Sequence, residues 1–137
     1  MRARRDRVQG TVFVRPGSAL VASGVRVIGN VQAENAARVD VVEGSRVGGS
    51  IQVKQGGRAR VTGSTVVGDI QYDANRQALR ADRNQVGGSI RIVGNSGGVA
   101  VNGSRVDGNL QCKENAPGPT SGGNVVDGNK EDQCARL

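Results

Sequence analysis

An all-β chain wound as a single-stranded parallel β-helix, a β-solenoid of about six coils for which a right-handed winding is expected, follows from three observations on these 137 residues. First, a unit Val-x-Gly-x-aliphatic begins at Val8, Val27, Val47, Val66, Val86, Val106 and Val126, so it recurs every 19 or 20 residues. Second, 22 glycines stand among recurrent Val and Ile, whereas disordered chains are poor in β-branched residues. Third, the chain has one Phe, one Tyr and no Trp, so its core must come from stacked aliphatic side chains instead of rings. Coils of this length with Gly-containing corners stack about 4.8 Å apart and would make a rod roughly 30 Å long.

The chain divides into a basic N-terminal arm (1–7), the solenoid (8–115) and a Pro- and Gly-rich C-terminal cap (116–137). Within each copy, alternate positions share one face of a strand. That face carries Val12, Val31, Ile51, Ile70, Ile90 and Leu110, then Val14, Ala33, Val53, Tyr72, Ile92 and Cys112, and it reads as buried. The positions between, Thr11, Asn30, Ser50, Asp69, Ser89, Asn109 and Asn129 with Gln32, Gln52, Gln71 and Gln111, read as facing solvent. A second alternating segment precedes each unit, as in Ala59 with Val61 and Leu79 with Ala81, and ends in a turn pair such as Gly63-Ser64. Asn75, Asn95 and Asn115 lie nine residues after their Val. Stacked amides can bond along such a column, and Asn also tolerates the left-handed conformation of a corner.

The repeat fails at its seventh copy, where Lys130, Glu131 and Asp132 occupy the strand and Pro117 and Pro119 precede it. Charges are costly in a stacked core and prolines deny donors to a sheet, so the solenoid is expected to end between residues 115 and 130. Cys112 takes an inward position in the sixth coil, and Cys134 follows 22 residues later, about one coil on. Stacking brings the two together, and a disulfide there would stabilise the cap by roughly 3 kcal/mol on the chain-entropy model. Such a bond implies an oxidising compartment, hence a secreted or cell-surface protein; free thiols would imply the cytoplasm. No apolar run reaches the ~18 residues of a membrane span. No signal region follows Met1-Arg2-Ala3-Arg4-Arg5-Asp6-Arg7, so an export signal would lie upstream.

The Val-x-Gly-x-Ile repeats of residues 8–112 resemble those of the bactofilins, bacterial polymer-forming β-solenoids whose coils stack and whose rods join end to end. That resemblance implies a structural, self-associating module. Cys112, Cys134 and the Pro-rich cap depart from it. The ending Gly108-Asn109-Leu110-Gln111-Cys112-Lys113-Glu114-Asn115, followed by Gly128-Asn129-Lys130-Glu131-Asp132-Gln133-Cys134, is similar to the terminal signature of exported bacterial repeat proteins, which implies export.

The formal net charge is +7, with 16 Arg against 3 Lys, and the arm alone contributes +3. The arm reads as a solvated extension. Arg26, Arg46 and Arg105 each precede a motif Val, and Arg58 and Arg60 flank Ala59. These five are candidate contacts for sulfate, phosphate or acidic polysaccharide through their forked donors. Nucleic acid is not the expected partner, since aromatic stacking platforms and a groove-entering helix are both missing. The first coil, with only the arm before it, is expected to be covered by a second copy or an upstream domain, and Val8, Phe13 and Val14 are the candidate self-association residues.

The lack of His excludes a His-based triad, most zinc sites and a His switch. Asp69, Asp107 and Asp127 could supply a carboxylate pair, yet no candidate nucleophile accompanies them and 20-residue coils leave no room for groove-forming loops. No catalytic residue, cofactor or metal is expected. The reading is a non-enzymatic rigid spacer or self-assembling unit of an exported bacterial protein. The alternative is a carbohydrate- or anion-binding module, and the remote third is a polysaccharide-active enzyme.

Overall fold

Residues 2–4, 7–120 and 122–137 are described by the computed structural model, and their strands form three parallel sheets, one on each side of a coil. Sheet A holds Arg2–Arg4, Ala19–Ser23, Arg38–Val42, Arg58–Thr62, Leu79–Asp82 and Val99–Asn102. Sheet B is seven two-residue strands, from Arg7–Val8 through Arg26–Val27, Arg46–Val47, Thr65–Val66, Gln85–Val86 and Arg105–Val106 to Val125–Val126. Sheet C runs Val12–Val14, Val31–Glu34, Ile51–Lys54, Ile70–Asp73, Ile90–Val93, Leu110–Lys113 and Lys130–Asp132. Each strand pairs with its equivalent one coil away, so Val31, Ile51, Ile70, Ile90 and Leu110 stack in one ladder. The parallel β-helix of about six turns is therefore present.

The core is aliphatic. Val47, Ile51, Val61, Ile70, Ile90, Val106 and Leu110 are fully buried. Tyr72 is the one ring inside. It crosses from sheet C to donate its hydroxyl to the Arg80 carbonyl of sheet A at 2.7 Å. Burial first, then the Asp82 carboxylate, push its phenol far above the ordinary range, so it remains a donor.

The Val-x-Gly-x-aliphatic unit proves to be a corner between two sheets, not one strand. Val47 closes a strand of sheet B, Gly48 to Ser50 turn, and Ile51 opens a strand of sheet C. Alternation survived the bend, which is why the sequence resembled continuous strand. Glycine is required here by proximity: Gly49 N–H donates to Gly29 O at 2.8 Å, Gly68 to Gly49 at 2.9 Å and Gly88 to Gly68 at 2.9 Å. A Cβ on Gly68 or Gly88 would lie 2.9 Å from the carbonyl oxygen of the equivalent glycine one coil before, Gly49 or Gly68.

The other two corners use left-handed residues. Between sheets C and A these are Asn35, Gln55, Ala74, Gly94 and Glu114, and between A and B they are Gly24, Gly44, Gly63, Arg83, Gly103 and Gly123. The left-handed role expected of Asn75, Asn95 and Asn115 thus belongs to the residue before each. What those Asn supply is the amide column itself, buried throughout: Asn75 Nδ2 donates to Asn95 Oδ1 at 3.0 Å, and Asn95 Nδ2 to Asn115 Oδ1 at 2.9 Å.

Two further expectations change. The Thr11 to Asn129 positions are mostly half-buried and form a column of their own. Ser50 N–H donates to Asn30 Oδ1 at 2.7 Å, Asp69 N–H to Ser50 Oγ at 2.9 Å and Ser89 N–H to Asp69 Oδ1 at 2.7 Å. The ladder also runs past residue 115. Val125–Val126 pairs with Arg105–Val106, and Lys130 to Asp132 pair with Leu110 to Cys112. Charges are accommodated because this is a terminal rung, where Lys130 and Glu131 are only half-buried and Asp132 is exposed. At the other end, Arg2–Arg4 pairs with Val21 to Ser23 and Arg7 with Arg26, so these parts of the expected solvated arm join the sheets. Arg5 and Asp6 lie outside the described residues.

Candidate functional site

The C-terminal end is closed by the segment after Asp132. Cys112 and Cys134 are joined, with Cα atoms 5.2 Å apart and both side chains fully buried. Gln133 continues the amide column, its Oε1 accepting from Asn115 N–H and Nδ2, each at 2.9 Å. Leu137 is buried, and its carbonyl accepts from Asn124 Nδ2 at 2.8 Å. Both inter-coil columns of the sheet A corners therefore end on this segment. The second of them, Ser45, Ser64, Asn84, Ser104 and Asn124, escaped the sequence reading because four of its members looked like turn partners of glycine and Asn84 follows Arg83 instead. Ser64 N–H donates to Asn84 Oδ1 at 3.1 Å and Ser104 N–H to Asn124 Oδ1 at 2.9 Å.

Replacing Cys134 with Ser is expected to lower stability by about 2–4 kcal/mol. Hydrogen exchange should locate the loss at Asn115 and Asn124, and a wild-type protein whose melting temperature ignores reductant would contradict the bond's role.

At the N-terminal end the candidate residues separate. Phe13 is 70% exposed, whereas Val14 is buried in the core and Val8 is half-buried. Val14 is thus a core residue and offers no side chain to a partner. Phe13 borders an open groove of about 540 Å³ with Arg15, Pro16, Gln32, Glu34 and Lys54. Among the described residues, Val12–Val14 and Arg7–Val8 are paired on one edge only.

The five candidate anion contacts also divide. Arg58 and Arg60 lie on sheet A, where Arg60 approaches Asp40 at 3.9 Å. Arg38 Nε bonds the same carboxylate at 2.7 Å, and Arg80 Nε bonds Asp82 at 2.7 Å. Asp40 and Asp82 are buried under these guanidiniums. Arg26 and Arg46 stack on sheet B with Arg7, while Arg105 stands farther along the same column beyond Thr65 and Gln85.

Of the carboxylates weighed for catalysis, Asp69 is committed to its column and Asp107 and Asp127 are exposed. Among the described residues no group of three His, Cys, Asp or Glu could hold a metal ion. Among the described residues no helix is long and apolar enough to cross a membrane. No family model, curated protein or solved structure matches this chain, so the likeness to bactofilins rests on the repeat and the solenoid alone.

Proposed function

We propose that the chain is a non-enzymatic rigid rod, a spacer or end-associating structural unit of an exported bacterial protein akin to the bactofilins. One observation carries this reading: the two ends differ. At the C-terminal end buried Cys134 and Leu137 cover the core and the unpaired edge is the charged strand Lys130–Asp132 with the short Val125–Val126, while at the described N-terminal end the unpaired edge lies beside the exposed ring of Phe13. Free parallel strand edges recruit further strands, and the charges of Lys130, Glu131 and Asp132 disfavour that recruitment at the C-terminal edge, leaving the N-terminal one. A second copy or a preceding domain of the same protein fits such an edge. The disulfide supports export, because thiols rarely pair in a reducing cytosol.

Sedimentation velocity over a concentration series tests the self-association. Wild-type protein should form a larger species that Phe13→Asp abolishes while leaving the melting temperature within a few degrees, since Phe13 contributes little to the core. A strictly monomeric wild type at high concentration would refute association between copies.

A further inference from the structure

The three faces of the rod treat positive charge differently. On sheet A, Arg38 and Arg80 are bonded to Asp40 and Asp82. On sheet C, Glu34, Lys54 and Asp73 alternate in sign on consecutive rungs. Over its first three rungs sheet B has no such compensation. Arg7, Arg26 and Arg46 occupy three successive rungs of one column, all exposed, and among the described residues none has an ion-pair partner. The residues that follow the motif Val on this face are Gln9, Ile28 and Gly48, which bring no carboxylate. All of the formal net charge resides in residues 1–68, the part of the chain that builds this column.

Like charges directly opposite across parallel strands repel, and among the described residues no carboxylate pairs with these three. An external anion would. We propose that the Arg7, Arg26 and Arg46 column is a binding stripe for a linear acidic polysaccharide lying along the rod axis. The geometry is one-dimensional: guanidinium forks about 4.8 Å apart in a straight row match a chain of carboxylates or sulfates, each able to accept two parallel hydrogen bonds. Arg105 extends the same line three rungs beyond Arg46. Nucleic acid fits less well, because sheet B carries no aromatic residue on which bases could stack. A membrane fits less well too, since a plane of headgroups calls for a basic surface wider than one column. This inference stands apart from the end-association reading, as it uses a side of the rod and not its end.

The test is a pair of variants that each remove two positive charges. Arg26→Gln with Arg46→Gln alters the stripe, and Gln85 already occupies that column, so the fold accepts the side chain. Arg76→Gln with Arg91→Gln removes the same charge from other exposed positions. Binding is measured by titration against heparin and polygalacturonate, with neutral dextran, phosphatidylglycerol vesicles and a single-stranded oligonucleotide as comparisons, and melting curves confirm folding.

Wild type should bind both acidic polysaccharides in a salt-sensitive manner. The stripe variant should weaken binding about tenfold or more and lower the salt slope by about two, while the other variant changes it far less. Equal losses from both variants would overturn the stripe, leaving only nonspecific attraction. Tighter binding to vesicles or oligonucleotide than to either polysaccharide would overturn the choice of partner, and no binding at all would end the proposal.

Discussion

Replacing Gly88 with Ala should cost about 2–4 kcal/mol, although the change adds a single methyl group. The new Cβ would lie 2.9 Å from the Gly68 carbonyl oxygen and would overlap Asp69 Oδ1, the acceptor for Ser89 N–H. Neither neighbour can yield cheaply. The carbonyl is backbone, held by the Gly88 N–H bond at 2.9 Å, and moving the carboxylate breaks the column at a half-buried rung. Gly63 provides the contrast. Its φ is +58° and open space surrounds the place where a Cβ would go, so Gly63→Ala should cost only the backbone term, about 1 kcal/mol. Urea unfolding of the two variants separates close approach from conformational freedom; equal midpoints would show that the glycine corner does not depend on contact between coils.

Asn95→Ala should be at least as damaging, by about 3–5 kcal/mol. Asn95 is almost wholly buried, and its amide joins three coils. Its Oδ1 accepts from Asn75 N–H at 2.9 Å and Asn75 Nδ2 at 3.0 Å, while its Nδ2 donates to Tyr72 O and Asn115 Oδ1, both at 2.9 Å. Truncation strands the Asn75 amide and the Tyr72 carbonyl where water cannot reach them. Gln71→Ala, a half-buried sheet C position whose side chain takes no part in either hydrogen-bonded column, should stay within about 0.5 kcal/mol. Amide exchange should show protection lost at Asn75 in the Asn95 variant. A loss below about 1 kcal/mol would mean that the aliphatic ladders, not the amides, hold the coils in register.

The period and the buried ladders were legible because Val, Ile and Leu recur at fixed offsets and only one winding stacks them all. Cys112 and Cys134 were legible for the same reason, as an inward position and its neighbour one coil on. The bend inside Val-x-Gly-x-Ile was not. A glycine with ordinary φ leaves the in-out alternation intact, so Val47 and Ile51 look like one strand although they belong to two sheets. The columns at Ser50 and Ser64 were hidden by chemistry: Ser, Asn and Asp also suit turns and solvent, and only the distance to the next coil's amide tells these uses apart. Offset from the motif Val correctly grouped Arg26, Arg46 and Arg105. It could not show that Arg58 and Arg60 face another side, near a buried Asp40.

The direction of the inter-coil hydrogen bonds has a mechanical meaning. They lie along the rod axis, so a pull between the two ends loads one rung at a time instead of all together. Each coil that peels away gives up about 4.8 Å of rod and releases 20 residues of slack, roughly 70 Å when extended. The covalent link between Cys112 and Cys134 locks the final coil against this unwinding. Under tension the rod would therefore lengthen from its N-terminal end, behaving as a stepwise extensible tether with one fixed spool.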